Sequence, residues 1–230
     1  MVINNDLTEL QKNIGYTFKD ISFLELALTH SSVVHERMVN KGESNERIEF
    51  LGDAVLELVS SEYLYKRFPD YPEGQMTKLR ASLVCEPSLA NDAKEIKLSD
   101  FIILGFGENK SGGRYRDSIV SDAFEAVIGA IFLDGGFEEA KKFILRFVLN
   151  DIENKALFHD SKSLLQEFVQ NKMKKSVQYK ILSETGPDHD KFFVSQVFLD
   201  EEPMETGEGR SKKAAEQQAA YKTYLKLKLK

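Results

Sequence analysis

The stretch that decides how this chain folds is Glu46-Arg47-Ile48-Glu49-Phe50-Leu51-Gly52-Asp53-Ala54-Val55. An α-helix has about 3.6 residues per turn, so Glu46, Glu49 and Asp53 share one side of the helix that this stretch predicts. Apolar residues form the neighbouring face. Charge so close to a core is unfavourable unless a cation or a partner compensates for it. The stretch therefore predicts a helix that holds a functional site as well as part of the fold.

A second predicted helix repeats this combination of charge and apolar surroundings. Asp122 and Glu125 are three residues apart within an apolar segment, so they also share one face. Gly52 and Gly129 both lie inside helical patterns, where Gly costs about 1 kcal/mol relative to Ala. Their most economical use is a close approach of the two helices. That approach brings four carboxylates together, those of Glu49, Asp53, Asp122 and Glu125.

Four clustered carboxylates repel one another, and some take up protons unless a cation is present. Neither Cys nor His lies at a suitable ligand spacing, so the oxygen ligands favour Mg²⁺ or Mn²⁺ over Zn²⁺. Such ions support metal-assisted hydrolysis of phosphodiester bonds. The alternative that spacing leaves open is a pair of helices with solvated acidic faces.

Composition and charge narrow the function classes. The 230 residues carry 31 Lys and Arg against 37 Asp and Glu, a net charge of −6. Residues 157–230 are +2 by themselves, so the acidic excess of −8 lies in the first two thirds. No apolar run approaches the roughly 18–20 residues of a membrane span, and the first residues do not resemble a secretory signal. Cys85, the single cysteine, excludes an intrachain disulfide and favours a reducing compartment.

Periodicity predicts two domains. Residues 1–152 form an all-α domain, residues 153–159 a linker, and residues 160–230 a small α+β domain in the order α-β-β-β-α. The predicted elements of the first domain are helices near 6–14, 20–31, 45–67, 74–95, 117–133 and 137–152, with a possible short strand at 101–104. Those of the second are a helix at 160–173, strands at 177–182 and 192–199, a weaker strand near 203–207, and a final helix from Ser211.

Several segments together resemble the bacterial ribonuclease III family. Asn45-Glu46-Arg47-Ile48-Glu49-Phe50-Leu51-Gly52-Asp53-Ala54-Val55-Leu56 is similar to the family's most specific motif, and Asp122-Ala123-Phe124-Glu125-Ala126 to its second catalytic segment. Shorter matches, in the family's order, are Thr29-His30-Ser31, Pro72-Glu73-Gly74 and Leu133-Asp134-Gly135-Gly136.

This resemblance implies an endonuclease domain that forms a homodimer in the cytoplasm. It implies Mg²⁺ as the cofactor, with Mn²⁺ able to substitute, and hydrolysis of both strands of duplex RNA to 5′-phosphate and 3′-hydroxyl ends with short 3′ overhangs. It also implies a role in rRNA and mRNA processing, with rRNA precursors among the substrates. By motif position, Asp53 and Glu125 are catalytic, Glu49, Asp122 and Glu125 are metal ligands, and Glu46 and Glu73 are accessory acids. Glu57 continues the acidic face, and we interpret it as solvated.

The tail resembles a double-stranded-RNA-binding domain. Lys212 and Lys213 stand at a helix start, where the helix dipole adds positive potential, and with Ser211 they match the third contact region of such domains. Gly186-Pro187-Asp188-His189 matches the loop that enters a minor groove. The resemblance also implies that Gln166, Glu167 and Gln170, on the first helix of the tail, contact 2′-hydroxyls. Such domains span about 16 base pairs and recognise A-form shape more than sequence.

Two rival functions remain open at this point. A duplex-RNA-binding protein that does not cut shares the tail, but it has little use for four clustered carboxylates. A phosphohydrolase of small substrates shares the carboxylates, but it has no use for the tail. A basic loop with Lys110, Arg114 and Arg116 lacks the Gly-Lys-Ser/Thr spacing of a P-loop, and an exposed loop is the simpler interpretation.

Overall fold

The computed structural model describes residues 7–37, 44–186 and 191–228. The chain divides between Asn150 and Asp151 into two compact units. The first unit is helical, and the second combines helices with a three-stranded sheet. This matches the predicted fold class of an all-α domain followed by an α+β domain. Among the described helices, none is long and apolar enough to cross a membrane.

Two helices form the centre of the first unit, and shorter helices surround them. Helix α8 is the most buried: Ala123, Phe124, Ala126 and Val127 have no exposed surface. Helix α4 packs along it. The helices are α1 (Leu7–Ile14), α2 (Ser22–Leu28), α3 (Ser31–Arg37), α4 (Glu46–Arg67), α5 (Glu73–Leu83), α6 (Glu86–Asp92), α7 (Phe106–Lys110), α8 (Asp117–Gly135) and α9 (Phe137–Phe147), with 3-10 turns at Leu98–Asp100 and Gly113–Tyr115.

Glycine allows α4 and α8 to meet at backbone distance. A β-carbon on Gly52 would overlap the carbonyl oxygen of Glu125, and a β-carbon on Gly129 would overlap the carbonyl oxygen of Ile48. Neither position has room for a side chain. The predicted close approach at these two glycines is therefore confirmed, and it places the carboxylates of the two helices on adjoining surfaces.

Two predicted helices of the first unit are interrupted. The helix predicted at 74–95 is two helices, because Cys85 is extended and Pro87 lies in the first turn of α6, where a proline is well tolerated. The helix predicted at 20–31 ends at Leu28, and extended Thr29 leads into α3. The short strand considered at 101–104 is reduced to one parallel bridge between Thr29 and Ile103.

The second unit is a sheet with two helices packed against it. Strand β2 lies in the middle and pairs antiparallel with β1 and β3. The elements are α10 (Ile152–Phe168), a π-helical turn (Val169–Met173), β1 (Val177–Thr185), β2 (Phe192–Leu199), β3 (Glu202–Gly209) and α11 (Lys212–Lys228). The third strand, which the sequence predicted only weakly, is as long as β2 because antiparallel pairing supplies the ladder that its Glu- and Gly-containing sequence does not favour.

The core of this unit lies between the sheet and the helices. Leu165 and Val169 meet Val197 and Leu199 of β2 and an alanine-rich face of α11. The small alanine side chains let α11 lie close to β3. A β-carbon on Gly207 would overlap backbone atoms of Ala215 and Ala219. The sheet and α11 therefore form two tightly packed layers. This packing fixes the position of α11 on the sheet.

The segment predicted as a linker, residues 153–159, belongs to α10, whose helix begins at Ile152 and not at residue 160. Leu157 packs against the core of the second unit, and the ring of Phe158 contacts Tyr221. These contacts with the core and with α11 stabilise a helical conformation that local sequence does not specify. Four residues, 148–151, separate α9 from α10, and the last of them, Asp151, lies in the left-handed region at φ 51°.

Candidate active site

The acidic side chains of α4 line one side of the helix, next to its buried face. Glu46 and Asp53 are exposed and Glu49 is half-buried, whereas Gly52 between them is buried against α8. These side chains share one side of the helix because positions 46, 49 and 53 differ by three and four residues. The predicted face therefore exists, and Glu49 is the member closest to the core.

Helix α8 presents its two carboxylates to the same region. Asp122 and Glu125 are half-buried among residues that are otherwise fully buried. Because Gly52 packs directly on the backbone of Glu125, the Glu125 side chain emerges beside Glu49 and Asp53. The four carboxylates predicted to cluster are thus brought to one place by the glycine contact.

Burial and mutual repulsion dominate the electrostatics of this site. Burial, followed by the charges of Asp53, Glu49 and Asp122, raises the pKa of Glu125 to about 8. Burial, followed by the charges of Asp122, Glu46 and Asp53, raises the pKa of Glu49 to about 7. An isolated carboxyl group on a solvated helix face is ionised at neutral pH. Glu49 and Glu125 are also half-buried, so neither lies on a fully solvated helix face.

Asp122 has neighbours that the sequence did not single out. Burial raises the pKa of Asp122 and the charge of Glu86 adds to the effect, whereas the Ser121 hydroxyl, 3.5 Å from Oδ1, and the imidazole of His30 lower it. The His30 ring is oriented by Ser32, whose backbone N–H donates to Nδ1 over 3.2 Å. Sequence alone favours a packed or hydrogen-bonded role for His30, and its proximity to Asp122 follows from tertiary structure.

The donor chemistry of the site fits a divalent cation. All four side chains offer carboxylate oxygens, which hard cations prefer, and the raised pKa values express an excess of negative charge that a cation would neutralise. Across residues 7–37, 44–186 and 191–228, no three or more Asp, Glu, His or Cys side chains form a ready-made metal-holding group. A cation that binds these carboxylates must therefore draw them closer together, and its charge offsets the repulsion between them.

The remaining acidic residues have different surroundings. Glu46 acts on Glu49 through its charge and accepts a hydrogen bond from Ser44 Oγ over 3.3 Å. Glu73, in the first turn of α5, accepts one from Thr77 Oγ1 over 2.8 Å. Glu57 is not merely solvated as we expected: its carboxylate pairs with Arg80 at 2.7 Å, and its charge contributes to the raised pKa of Glu125.

Asp134, from the shorter family-like segment, is a structural residue. Its carboxylate accepts hydrogen bonds from Tyr16 Oη over 2.6 Å and from the backbone N–H groups of Lys19 and Asp20 over 2.9 Å. It therefore ties the end of α8 to the segment that precedes α2.

The three basic residues of the loop at 110–116 have different surroundings. Arg116 pairs with Glu108 at 2.8 Å, Arg114 donates to Ser99 O over 2.7 Å, and Lys110 is exposed.

The residues predicted to contact RNA lie at the surface of the second unit. Gln166 and Glu167 on α10 and Gln170 in the π-helical turn are exposed. Ser211 Oγ accepts the backbone N–H of Ala214 over 3.1 Å, so it caps α11. Lys212 and Lys213 are exposed in the first turn, with Lys212 Nζ 5.8 Å from the centroid of Phe193. His189 lies outside the described residues.

Comparison with known proteins matches both units. A family model described as ribonuclease-III-like matches residues 20–152, and a double-stranded RNA binding motif matches residues 161–227. The protein named Ribonuclease 3 of Oceanobacillus iheyensis is 48% identical over 94% of this chain and 95% of its own length. The one of Enterococcus faecalis is also 48% identical, over the same shares of both chains.

A solved structure agrees with the helical unit. The nuclease domain of ribonuclease III from Campylobacter jejuni, described for structural flexibility in a region involved in dimer formation, is 47% identical with a TM-score of 0.58 and covers 62% of this chain and 96% of that domain. A nuclease unit joined to a double-stranded-RNA-binding unit defines a class of endoribonucleases. The chain belongs to the ribonuclease III family, whose members cut double-stranded RNA and depend on divalent metal ions.

Proposed function

We propose that this chain hydrolyses both strands of duplex RNA with Mg²⁺, leaving 5′-phosphate and 3′-hydroxyl ends with short 3′ overhangs. Its substrates are structured RNAs such as rRNA precursors and mRNAs, in the cytoplasm. The observation that carries the proposal is the meeting of Glu49, Asp53, Asp122 and Glu125 at the glycine contact between α4 and α8. A protein that only binds duplex RNA has no need to hold two carboxyls at such raised pKa values.

The roles divide by position within the site. Glu49, Asp122 and Glu125 would hold Mg²⁺, which supplies Lewis-acid polarisation of the phosphoryl oxygen when bound. Asp53 is the exposed member, one helical turn beyond Glu49, so its carboxylate is accessible to accept a proton from an attacking water. Mn²⁺ accepts the same oxygen ligands, and we expect it to substitute. Glu46 and Glu73 are proposed as accessory acids.

Incubation of a long RNA duplex with the protein tests this proposal. Discrete short duplexes are expected with Mg²⁺, and intact RNA with EDTA. Glu125→Gln removes one charge at nearly constant shape, and it should lower cleavage by at least about a hundredfold while still shifting duplex RNA on a gel. Intact RNA under every divalent ion, with binding retained, would favour the rival function of a duplex-RNA-binding protein.

A homodimer is the second part of the proposal, and an apolar stripe on α4 supports it. Phe50 is 78% exposed, Leu58 59% and Tyr65 72%, and all three lie on one side of the helix next to the acidic face. Large exposed apolar residues in one row are uncommon on a monomer. The related Campylobacter jejuni nuclease domain has a region involved in dimer formation, and here a second copy covering the stripe would bury these side chains.

Sedimentation checks the dimer directly. The intact protein should sediment as a dimer at micromolar concentration. Leu58→Glu places a charge in the stripe and should shift the equilibrium to monomer without unfolding the chain, since Leu58 is exposed. A matched Lys66→Glu change at the exposed end of α4 should leave the dimer intact. A wild-type monomer across the accessible concentration range is the result that contradicts the assignment.

A further inference from the structure

The side chain of Arg80 is attached to the acidic side of α4. Arg80 of α5 lies with Nε 2.7 Å from Glu57 Oε2, and its Nη1 donates to Ser61 Oγ over 2.6 Å. The Ser61 hydroxyl in turn donates to the carbonyl oxygen of Glu57 over 2.6 Å. The guanidinium is therefore held by two side chains of α4, and the Ser61 hydroxyl is itself anchored to the backbone of Glu57.

This arginine lies beside the proposed nuclease site. Glu57 is one helical turn beyond Asp53 on the same side of α4, a distance of about 6 Å along the helix axis. Its charge is among those that act on Glu125. A guanidinium paired with Glu57 is thus at one end of the row formed by Glu46, Glu49, Asp53 and Glu57.

The attachment leaves Arg80 able to bind an anion. Its side chain is 34% exposed, and Nη2 carries two N–H donors beyond the contacts made by Nε and Nη1. A guanidinium that is already oriented loses little conformational entropy when it binds, and its planar fork matches the oxygens of a phosphate. A backbone phosphate that approaches a row of carboxylates also needs a cation beside the row, because a metal ion neutralises only the scissile position.

We infer that Arg80 binds an RNA backbone phosphate next to the scissile one, and that Glu57 and Ser61 hold its guanidinium in place for that contact. This inference rests on the proposed nuclease function. It assigns to the nuclease unit a phosphate contact that does not depend on the lysines of α11. The Glu57 carboxylate also weakens phosphate binding, because its charge competes with phosphate for the same guanidinium.

Steady-state cleavage of a short duplex by full-length variants tests the inference. Arg80→Gln should raise KM about tenfold or more with kcat within about twofold, the loss expected for one charged hydrogen-bonded contact. Arg80→Lys keeps the positive charge but loses the planar guanidinium, so its KM should lie between those of the wild type and Arg80→Gln. Glu57→Gln should lower KM about twofold, because its amide oxygen still accepts the bond from Nε while the competing charge is gone.

Lys141→Gln is the matched control. Lys141 pairs with Glu62 at 2.5 Å on the opposite side of α4, so this change also breaks an ion pair to the helix but should leave KM unaltered. Duplex binding in a Glu125→Gln background, where cleavage is blocked, separates affinity from chemistry. Thermal melting of each variant shows that it is folded.

Three results overturn the inference. Equal losses of melting temperature in Arg80→Gln and Glu57→Gln with KM unchanged would make the pair a structural ion pair only. Equal rises of KM in Glu57→Gln and Arg80→Gln, together with equal losses of melting temperature, would mean that breaking the ion pair disturbs the structure of the site and that no phosphate contact is lost. A similar rise in Lys141→Gln would show a general effect of charge. Failure of the wild-type protein to cleave would instead sink the nuclease proposal, so the two failures are distinguishable.

Discussion

At the scale of single residues, the site is defined by carboxyl groups whose ionisation is unfavourable in the folded protein. Glu49 and Glu125 are half-buried, and each is surrounded by the charges of the others. The sequence allowed this arrangement to be predicted, because acidic side chains three and four residues apart share a helix face. It did not show which of them is most buried. That depends on where Gly52 touches Glu125, a contact between residues 73 positions apart.

The raised pKa values predict how pH acts on the metal-free protein. In the folded state the pKa of Glu125 is about 8 and that of Glu49 about 7, against an ordinary value of 4.5. A pKa raised by folding favours the folded state while the group is protonated, and this contribution is lost as pH rises through the folded-state pKa. With EDTA present, the melting temperature should therefore fall by a few degrees between about pH 6 and pH 8.5.

Mg²⁺ should reverse this trend, since it binds the deprotonated carboxylates. The gain in melting temperature on adding Mg²⁺ should be small at about pH 6 and grow toward pH 8.5. Glu125→Gln lacks the group with the highest pKa and should show a flatter dependence in both conditions. A Mg²⁺ gain that is equal at every pH would contradict the coupling between protons and metal.

At the scale of elements, the sequence predicted long amphipathic helices well and their interruptions poorly. The helix from residue 45 to 67 was located almost to the residue, because its apolar face and the prolines that follow it are local features. The helix predicted across 74–95 breaks at Cys85. Residues 153–159 are helical because Leu157 packs against the core of the second unit and Phe158 contacts Tyr221 of α11. Such contacts are set by tertiary structure, which periodicity does not report.

The α4–α8 contact makes a direct prediction about Gly52. Gly52→Ala places a β-carbon against the carbonyl oxygen of Glu125, so the helices must separate, which should destabilise the protein by about 1–3 kcal/mol or more. The separation also moves Glu49 and Asp53 away from Asp122 and Glu125, so cleavage should fall further than stability explains. Thermal melting and cleavage below the melting temperature measure the two effects.

Gly74→Ala is the matched control for this change. Gly74 lies within α5, and a β-carbon added there would meet no other atom within 4 Å. Alanine is the better helix former, so the change should be neutral or stabilise by about 0.5 kcal/mol. If Gly52→Ala proved as harmless as Gly74→Ala, the glycine contact would not be what holds the two acidic faces together.

At the scale of the whole molecule, charge is divided between the two units. The acidic excess lies in residues 1–156 and a small basic excess in residues 157–230, so the net charge that attracts phosphate belongs to the second unit, whereas the proposed metal site lies in the first. Both the two-domain organisation and this division were predictable from sequence, because they depend on composition and on local motifs. Sequence did not predict the pairing of Arg80 with Glu57 or the position of His30 near Asp122. Both are contacts between distant parts of the chain, and no local sequence pattern indicates them.

This division predicts that binding and cleavage can be impaired separately in the full-length protein. Lys212→Gln with Lys213→Gln should weaken duplex binding about tenfold and reduce its salt dependence, because fewer counterions are released. At saturating RNA, kcat should remain within about twofold of wild type, the reverse of Glu125→Gln. Lys222→Gln removes one exposed charge about 15 Å further along α11 and should change neither quantity. A fall in kcat at saturation in the Lys212 and Lys213 variant, equal to its loss of affinity, would show that these lysines act on the chemistry and not on the capture of RNA.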